Sequence, residues 1–246
     1  MNDTTTLKSV FRHIETAPCS SVLDVGCGNL EALLFLKDKY NLTGKLTGID
    51  RQSKNFESPE RQKELGITLI EADVSKHLPF ADDSFDLIFH KDVLECIPDI
   101  DSHIRELYRV LKKGGTIVCA HRDWETIALN SHNKQLINKA VFGYANYLQS
   151  GWMDACDGWI GRRVYGYFQK TGLFDSAVFC INEIETEYLP GTKGYGYVQG
   201  MMEMIKPNGF LTQEEANELL DDIRQTYEQK EYLFSYPLYV YQGVKL

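Results

Sequence analysis

The sequence predicts an α/β fold, in which helices cover both faces of a doubly wound, mostly parallel sheet of seven strands. From residue 21 onward, short runs rich in Val, Leu and Ile alternate with longer segments whose apolar residues have helical spacing. The short runs of the first half are apolar throughout, as is typical of parallel strands buried on both faces. Because ligands of such sheets bind at the carboxyl ends of the strands, we expect a functional site there.

Each element follows from its local pattern. The predicted strands span 21–25, 45–50, 66–73, 84–92, 116–121, 174–188 and 231–246. The predicted helices span 7–14, 30–40, 59–65, 100–115, 131–149, 158–171 and 212–230. Gly114 and Gly115 end the fourth of these helices, and Thr212 with Glu215 gives a capping-box pattern at the start of the last. The glycines and tyrosines of 190–204 predict a mobile loop.

Composition argues against several classes of protein. The chain has 246 residues and a net charge of −9, from 26 Lys and Arg against 35 Asp and Glu. This excess of negative charge opposes binding to nucleic acid and to anionic membranes. No apolar run reaches the roughly 18–20 residues of a membrane helix, and the first residues lack a signal-peptide core. We therefore expect a cytoplasmic protein, a monomer or homodimer without nucleic-acid or membrane partners.

The six cysteines stand singly along the chain, without the spacing of zinc ligands. We expect reduced cysteines that pack as small apolar side chains, and no metal site.

The composition of the chain changes after residue 121. Of the 29 aromatic residues, 21 lie in 121–246. No internal repeat or Pro/Ser-rich linker separates the two halves, which predicts a single domain over 1–246. Within it we expect a cofactor-binding core at 1–121 and a helical, aromatic-rich insertion at 122–175 that forms a lid. The remainder of the sheet and a C-terminal helix are expected at 176–246.

A glycine-containing turn follows the first strand. The sequence VLDVGCGN places Asp24 at the end of this strand, and Gly26 and Gly28 in the turn before a helix. Glycines there allow a tight turn close to a ligand. Glu31 stands where the dinucleotide-binding signature requires Gly or Ala, and the GK[ST] of phosphate loops is absent from the sequence. The turn therefore suits a ligand with a cationic group better than a pyrophosphate.

Two further carboxylates end neighbouring strands. Asp50 lies 22 residues beyond Gly28, where an acid can accept both hydroxyls of a ribose. Asp73 ends the third strand, where a carboxylate can accept the exocyclic amino group of an adenine. Together with Asp24, they predict a positively charged nucleoside without phosphates as the ligand.

At these positions the chain resembles the class I S-adenosylmethionine-dependent methyltransferases. The residues that carry the resemblance are Val22–Gly28, Gly48–Asp50, Glu71–Asp73, 78–99 and 105–115. The resemblance covers residues 21–121. Within the family, this part of the chain is similar to the small-molecule branch that includes ubiquinone-biosynthesis-type enzymes. The resemblance implies a Rossmann-like methyltransferase fold, with S-adenosylmethionine as cofactor and S-adenosylhomocysteine as product.

The resemblance also implies cofactor contacts. Asp24 would lie near the methionine amino group, Asp50 would bind the ribose and Asp73 the adenine. The full set of implied cofactor-binding residues is Asp24, Gly26, Cys27, Gly28, Asp50, Arg51, Asp73, Val74 and His90. Cys96 stands where the family often has His, so a base, if the acceptor needs one, must come from elsewhere.

The residues after the fifth strand are candidates for that base and for the acceptor site. His121 and Asp123 lie where the acceptor is expected, and an imidazole with a pKa near neutral could take its proton. The alternatives are a His121 that caps the strand and an Asp123 that caps a helix or pairs with Arg122. The predicted substrate-binding residues are Trp124, Tyr147, Trp152, Trp159 and Arg162. For these, core packing or a solvated helix face is the alternative.

The predicted function is methyl transfer by in-line displacement to an N or O nucleophile of a small organic acceptor, as in secondary metabolism. An RNA or protein methyltransferase is one alternative, but neither a basic face nor an Asn-Pro-Pro-Tyr-type motif is visible. A protein that binds S-adenosylmethionine without transferring its methyl group is another, since fold alone does not determine function.

Overall fold

Eight strands form one sheet in the computed structural model, which describes residues 4–12, 14, 20–147 and 153–246, with the side chains of 205–208 excepted. The strands are β1 (Ser21–Val25), β2 (Lys45–Asp50), β3 (Ile67–Glu71), β4 (Phe85–Lys91), β5 (Leu111–Arg122), β6 (Ala128–Leu129), β7 (Phe174–Glu185) and β8 (Phe234–Lys245). The α-helices are α1 (Thr4–Arg12), α2 (Glu31–Tyr40), α3 (Pro59–Leu65), α4 (Ile100–Val110), α5 (Lys134–Ala145), α6 (Ile160–Thr171), α7 (Lys193–Asn208) and α8 (Gln213–Glu228). None of the helices in these ranges combines the length and the apolar character needed to cross a bilayer.

The sheet is mostly parallel, as predicted. Its long strands lie in the order β3-β2-β1-β4-β5-β8-β7, and the two-residue β6 pairs with the start of β8. β1 to β5 are parallel, whereas β8 runs antiparallel to β5, β6 and β7. Val25 pairs with both Ile49 and His90, so three strands end at one edge of the sheet. The prediction of a doubly wound α/β sheet is confirmed, with β6 as an additional short strand.

Helices cover both faces of this sheet. On one face, α1 and α2 bury Phe11 and Leu33 against side chains of β1, β4 and β8. On the other face, α4 and α6 contribute Ile104 and Phe168 to a second core. Burial of each such side chain stabilises the fold by roughly 1.5–3 kcal/mol. α6 falls in the segment 122–175, and the structure places it in the layer on the sheet.

A third core lies among α5, α7 and α8, which together we call the helical cap. Leu136 of α5, Met201 of α7 and Leu219 of α8 are buried in it. The cap therefore combines segments that lie before and after α6 in the chain, and it extends well beyond the segment 122–175.

The segment 190–204 is largely helical and is not the predicted mobile loop. A Cβ on Gly194 would lie 2.2 Å from the Tyr232 hydroxyl, and a Cβ on Gly200 would lie 2.8 Å from the Tyr144 hydroxyl. Glycine is favoured at both positions because a tyrosine hydroxyl lies close to the helix backbone. The loop prediction is wrong because these glycines allow packing within the cap.

The predicted start of α8 is confirmed, whereas the predicted start of β5 is wrong. The capping box of α8 is confirmed: the Glu215 amide donates to Thr212 Oγ1 (3.1 Å), and the Thr212 amide donates to Glu215 Oε2 (2.8 Å). β5 begins at Leu111 rather than at 116, because the chain enters the strand directly from α4. Gly114, with a φ of 72°, lies inside this extended strand.

Candidate active site

Three neighbouring cavities lie at the carboxyl edge of the parallel strands. The Asp24 cavity (about 280 Å³) is lined by Asp24, Gly26, Lys91, Arg122 and Lys193 among others. The Asp50 cavity (about 240 Å³) is lined by Gly26, Asp50, Arg51, Asp73, Val74 and Asp92 among others. The aromatic cavity (about 250 Å³) is lined by Asp92, Glu95, Arg122, Trp124, Tyr144, Ala145, Tyr147, Met153 and Cys156. Each pair of cavities shares one lining residue, which is Gly26, Asp92 or Arg122. The three cavities therefore adjoin and can hold two ligands in contact with each other.

The glycine turn fixes the position of the Asp50 carboxylate. Gly26 and Gly28 both have positive φ (70° and 52°), which favours glycine. The Gly28 amide donates to Asp50 Oδ2 (2.9 Å), and the Gln52 amide donates to Oδ1 (2.9 Å). A Cβ on Gly28 would meet no atom within 4 Å. The carboxylate is thus held in one orientation beside open space.

Cys27 lies beneath this turn. Its side chain is buried, and a Cβ on Gly48 would lie 2.8 Å from its Sγ. Burial, with the nearby Asp24 and Asp50 charges, raises the pKa of the Cys27 thiol, which is therefore protonated and unreactive at neutral pH.

Asp24 is a buried carboxyl group without a hydrogen-bond partner on one oxygen. Its side chain is 3 % exposed, and Oδ2 accepts no hydrogen bond from the described residues. Burial raises its pKa to about 7; the charge of Lys91 opposes this shift and that of Asp50 adds to it. A cation that enters the Asp24 cavity would stabilise the ionised form of this group.

Asp73 and Arg51 form the outer wall of the Asp50 cavity. The Ser75 amide and hydroxyl donate to Asp73 Oδ1 (2.9 and 2.7 Å), and Arg51 Nη2 lies 3.2 Å from Oδ2. Partial burial raises the pKa of Asp73, but the hydrogen bonds from Ser75 and Arg51 outweigh it and lower the pKa overall. Arg51 also bonds Asp154, so one guanidinium connects two acidic segments across the mouth of the cavity.

His90 is placed away from the three cavities. It is fully buried, and its Nε2 lies 3.0 Å from Nε2 of His103, whose Nδ1 donates to the Val74 carbonyl (2.9 Å). On its other side, the Cys119 thiol lies 3.4 Å from His90 Nδ1. Side chains alternate along β4, so Phe89 and Lys91 line the Asp24 cavity whereas His90 faces the other side of the sheet. His90 is thus linked to the Asp50 cavity only through His103 and Val74, and its predicted cofactor contact stays a prediction.

Asp92 lies at the meeting point of two cavities, and the sequence analysis missed it. It has a positive φ (53°) and lines both the Asp50 and the aromatic cavity. Lys91 Nζ donates to its Oδ2 (2.9 Å), and the Arg122 guanidinium bonds the same oxygen. Burial favours the neutral carboxyl, but Arg122 and Lys91 together hold the pKa of Asp92 well below its usual range. Its place directly after β4 is the signal that could have identified it.

The predicted base residues face away from the cleft. His121 is fully buried, its Nδ1 donates to the Arg122 carbonyl (2.9 Å), and burial lowers its pKa. Asp123 is also fully buried, and the Arg162 guanidinium bonds both of its oxygens. Arg122, between them, lines the cavities, because alternate residues of a strand point to opposite sides. Neither His121 nor Asp123 is among the lining residues, so their placement does not support the predicted proton transfer.

The predicted substrate residues are divided between different places. Trp124 and Tyr147 line the aromatic cavity. Trp159 is 40 % exposed, and its indole N–H bonds Glu125 outside the described cavities. Arg162 bonds the buried Asp123, and Trp152 lies outside the described residues.

Glu95 is a second lining residue that the sequence analysis missed. Its side chain is 8 % exposed, and the indole N–H of Trp124 donates to its Oε2. Burial, with the Asp92 charge, raises its pKa to about 8. It sits in a short 3₁₀ turn (Leu94–Cys96) after β4, so no strand periodicity indicates its direction.

The segment that carries the carboxylate edge matches a known family. Residues 23–119 match the family model described as a methyltransferase domain. This match agrees with the predicted resemblance to the class I S-adenosylmethionine-dependent methyltransferases. The matched segment contains Asp24, Asp50, Asp73 and Glu95, whereas Arg122 and the aromatic walls of the third cavity lie beyond it.

The curated relatives match only part of the chain. Demethylmenaquinone methyltransferase of Staphylococcus epidermidis is 34 % identical over 125 residues, which are 50 % of this chain and 51 % of the relative. The enzyme of that name from Alkalihalophilus pseudofirmus is 29 % identical over 124 residues, 49 % of this chain and 52 % of the relative. The chain thus spans about half the length of the curated relatives it matches.

Solved structures share the fold of the chain at low sequence identity. YcgJ protein from Bacillus subtilis has a TM-score of 0.61 and 18 % identity, and the match covers 98 % of both chains. Haemonchus contortus phosphoethanolamine N-methyltransferase 2, solved with S-adenosylmethionine, has a TM-score of 0.54 and 18 % identity, over 99 % of this chain and 52 % of that one. The [4+2]-cyclase SpnF has a TM-score of 0.55 and 15 % identity, and the match covers 98 % of this chain and 80 % of that one. One fold therefore serves proteins named for different reactions.

Proposed function

We propose that the chain transfers the methyl group of S-adenosylmethionine to a small organic acceptor. The observation that carries the proposal is the meeting of the three cavities: two are lined by strand-end carboxylates, and the third is aromatic. Asp92 and Arg122 connect the third cavity to the other two. A cofactor with a cationic and a nucleoside part suits the first two cavities, and an organic acceptor suits the third.

The carboxylates fit the two ends of the cofactor. Asp24, with its unpartnered Oδ2, suits the methionine ammonium group. Asp50, held by two backbone amides, has lone pairs left for two ribose hydroxyls. Asp73, beside Val74, suits the exocyclic amino group of adenine. Bound there, S-adenosylmethionine supplies a methyl group already activated by its positive sulfur.

The remaining task of the chain is alignment. Displacement of a methyl group needs the nucleophile in line with the bond that breaks, and it needs no covalent enzyme intermediate. The walls formed by Trp124, Tyr144 and Tyr147 can hold a flat or apolar acceptor with its nucleophile in line with the methyl–sulfur bond. A cavity of about 250 Å³ suits a small molecule, and the net charge of −9 does not favour RNA.

The proposal extends to the organisation of the chain. Residues 1–121 would bind the cofactor, and 122–175 with the helical cap would build the acceptor side and act as its lid. The remainder, 176–246, would complete the sheet and contribute α7 and α8 to the cap. A monomer or homodimer in the cytoplasm, without nucleic-acid or membrane partners, fits this function.

The proposal is tested in two steps. Calorimetric titration with S-adenosylmethionine measures cofactor binding, and methyl-labelled cofactor is then incubated with a cell extract separated into small molecules and macromolecules. Label in the small-molecule fraction supports the proposal, and the labelled compound identifies the acceptor. Label in RNA or protein overturns the acceptor class. Binding without transfer to extracts from several sources favours a non-catalytic binder, and absence of binding contradicts the proposal outright.

A further inference from the structure

The aromatic cavity contains a mostly buried carboxyl group of which one oxygen accepts no hydrogen bond from the described residues. Glu95 is 8 % exposed and lines the cavity. Oε2 accepts the indole N–H of Trp124, whereas Oε1 accepts no hydrogen bond from the residues that the structure describes. The second oxygen of this carboxyl group is therefore available to accept a hydrogen bond from a ligand in the cavity.

The positive charges near Glu95 are already engaged by another acid. Arg122 and Lys91 both bond Asp92, which lines the cavity together with Glu95 and Arg122. Burial is the largest cause that raises the pKa of Glu95, and the Asp92 and Asp157 charges add to it. The Trp124 hydrogen bond and the Arg122 charge oppose the shift. The cavity therefore presents a proton-bearing acid in a field that favours an added cation.

The other groups that face Glu95 carry no positive charge. Cys96, Tyr144 and Cys156 each have a pKa raised, first by burial and then by the Glu95 charge, so all three are neutral at pH 7. They lie on the 3₁₀ turn after β4, on α5 and on the segment before α6. An ammonium ion is the group that would balance Glu95 in this setting.

The aromatic walls favour the same kind of ligand. Trp124, Tyr144 and Tyr147 line the cavity around Glu95. The guanidinium of Arg122 already lies over one ring of this wall, 5.6 Å from the centroid of Trp124. Aromatic faces combined with a carboxylate are a typical recognition site for organic ammonium groups.

We propose that the aromatic cavity binds an organic amine as its acceptor, with Glu95 as counter-ion to the ammonium group and as the acceptor of its proton. This inference rests on the proposed function and specifies its substrate class. A carboxylate or phosphate acceptor is disfavoured, since it would lie against Asp92 and Glu95 while the nearby cations stay bonded to Asp92.

Binding and activation of the amine involve two proton transfers. As the ammonium group enters, Glu95 ionises and releases its proton to water. In the bound pair, one N–H bond of the ammonium group then breaks: its proton passes to the Glu95 carboxylate, which becomes a carboxylic acid, and its electron pair stays on the nitrogen as a lone pair. A neutral amine with a free lone pair is the nucleophile that methyl transfer requires.

The test uses benzylammonium as a probe, with S-adenosylhomocysteine present and absent. Calorimetric titration at pH 7 in two buffers of different ionisation enthalpy measures both affinity and proton release. We expect saturable binding with release of close to one proton, because a group with a pKa of about 8 is mostly protonated at this pH. Benzoate and benzyl alcohol, of similar size, are expected to bind at least tenfold more weakly.

Two matched variants separate Glu95 from a general effect of charge. Glu95→Gln keeps an acceptor for the Trp124 indole and removes the ionisable group; it is expected to weaken benzylammonium binding at least tenfold and to abolish proton release. Glu125→Gln is the control, since Glu125 likewise accepts an indole N–H, that of Trp159, but lines none of the described cavities. It is expected to leave both quantities unchanged.

The outcomes distinguish this inference from the proposed function. Benzoate binding more tightly than benzylammonium, equal binding by Glu95→Gln, or binding without proton release would each overturn the amine site. If S-adenosylmethionine binds but benzylammonium does not, the amine inference fails and the methyltransferase proposal stands. If S-adenosylmethionine does not bind, the proposed function fails whatever the probe does.

Discussion

The guanidinium of Arg162 holds the buried carboxylate of Asp123 through two parallel hydrogen bonds, from Nε to Oδ2 (2.6 Å) and from Nη2 to Oδ1 (2.5 Å). The backbone amide of Arg162 also donates to Oδ2 (3.1 Å). Asp123 follows β5, and Arg162 lies in the first turn of α6. This pair therefore fastens α6 to the end of a central strand, and the carboxylate lies at the positive end of the helix dipole.

Removal of this partner is expected to destabilise the fold. Arg162→Ala would leave the Asp123 carboxylate buried and without its guanidinium, at a cost of about 3 kcal/mol in the free energy of unfolding. Arg163→Ala is the control, since Arg163 pairs with Asp157 at the surface and should cost less than about 1 kcal/mol. Urea unfolding measures both. Equal effects of the two variants would contradict a structural role for the Asp123–Arg162 pair.

The sequence predicted most of the parallel strands and part of the candidate site. Runs of apolar residues and the turn around Gly26 and Gly28 predicted β1 to β4 and the later part of β5, and the strand-end rule led to Asp24 and Asp50 at the cavities. The same rule led to His90, which lies at a strand end but on the opposite face. A position near the end of a strand does not by itself place a side chain in the site, because successive side chains of a strand point to opposite faces of the sheet.

The residues that the sequence analysis missed depend on geometry outside regular elements. Asp92 reaches the cavities through a positive φ, and Glu95 through a 3₁₀ turn, and neither conformation follows from periodicity. Lys193 lines the Asp24 cavity because α7 packs closely through Gly194, in a segment whose glycines predicted a loop. Tertiary packing determined these positions, and local pattern alone did not reveal it.

The paired histidines predict a specific dependence of stability on pH. Burial lowers the pKa of His103 to about 4, whereas in the unfolded chain a histidine takes its proton near pH 6.5. Between these values the unfolded state binds more protons, so stability is lost as the pH falls from 6.5 toward 4. His103→Gln removes this contribution, worth up to about 1.4 kcal/mol per pH unit.

The histidine prediction is best measured as a difference between proteins. The raised pKa values of Asp24 and Glu95 act with the opposite sign and partly hide the effect in the wild-type protein. Urea unfolding of wild type and His103→Gln at pH 7 and pH 5 cancels those shared contributions. We expect the variant to lose less stability than wild type on acidification, by about 2 kcal/mol. Parallel pH curves would refute a neutral, buried His103.

The close approach of Gly26 to Val93 predicts a non-additive pair of substitutions. A Cβ at Gly26 would lie 2.2 Å from Val93 Cγ2, and the φ of 70° adds backbone strain. Gly26→Ala is therefore expected to cost about 3 kcal/mol, of which about 1 kcal/mol is backbone strain. In a Val93→Ala background the added cost should fall to about 1 kcal/mol, because the clash is gone.

Gly28→Ala is the matched control for this cycle. Gly28 also has a positive φ, but a Cβ there would meet no atom within 4 Å. Its cost should be about 1 kcal/mol with or without Val93. Unfolding free energies of the five variants and wild type give the coupling. A Gly26→Ala penalty that is unchanged in the Val93→Ala background would show that the contact does not limit this turn.

The buried carboxyl group of Asp24 predicts a trade between stability and cofactor binding. Its pKa is about 7 in the folded protein against 3.8 for the free group. The folded state therefore holds a proton that the unfolded state has lost, and the cost of ionising Asp24 grows as the pH rises from 4 to 7. Asp24→Asn removes that cost, so the variant should exceed wild type in stability by about 2–4 kcal/mol at pH 8, and the gap should close toward pH 4.

The same substitution should weaken the cofactor. If the ionised Asp24 accepts the methionine ammonium group, Asp24→Asn loses a charge-assisted hydrogen bond of about 1.5–3 kcal/mol, tenfold or more in affinity at pH 8. Wild-type affinity should fall as the pH drops below 7, where Asp24 takes up its proton, and the affinity of the variant should not follow this change. Calorimetry at pH 6 and pH 8 measures both trends. If Asp24→Asn is more stable than wild type and still binds S-adenosylmethionine as tightly, the methionine ammonium group does not bind at Asp24. The cost of burying the Asp24 carboxylate would then have no role in cofactor binding.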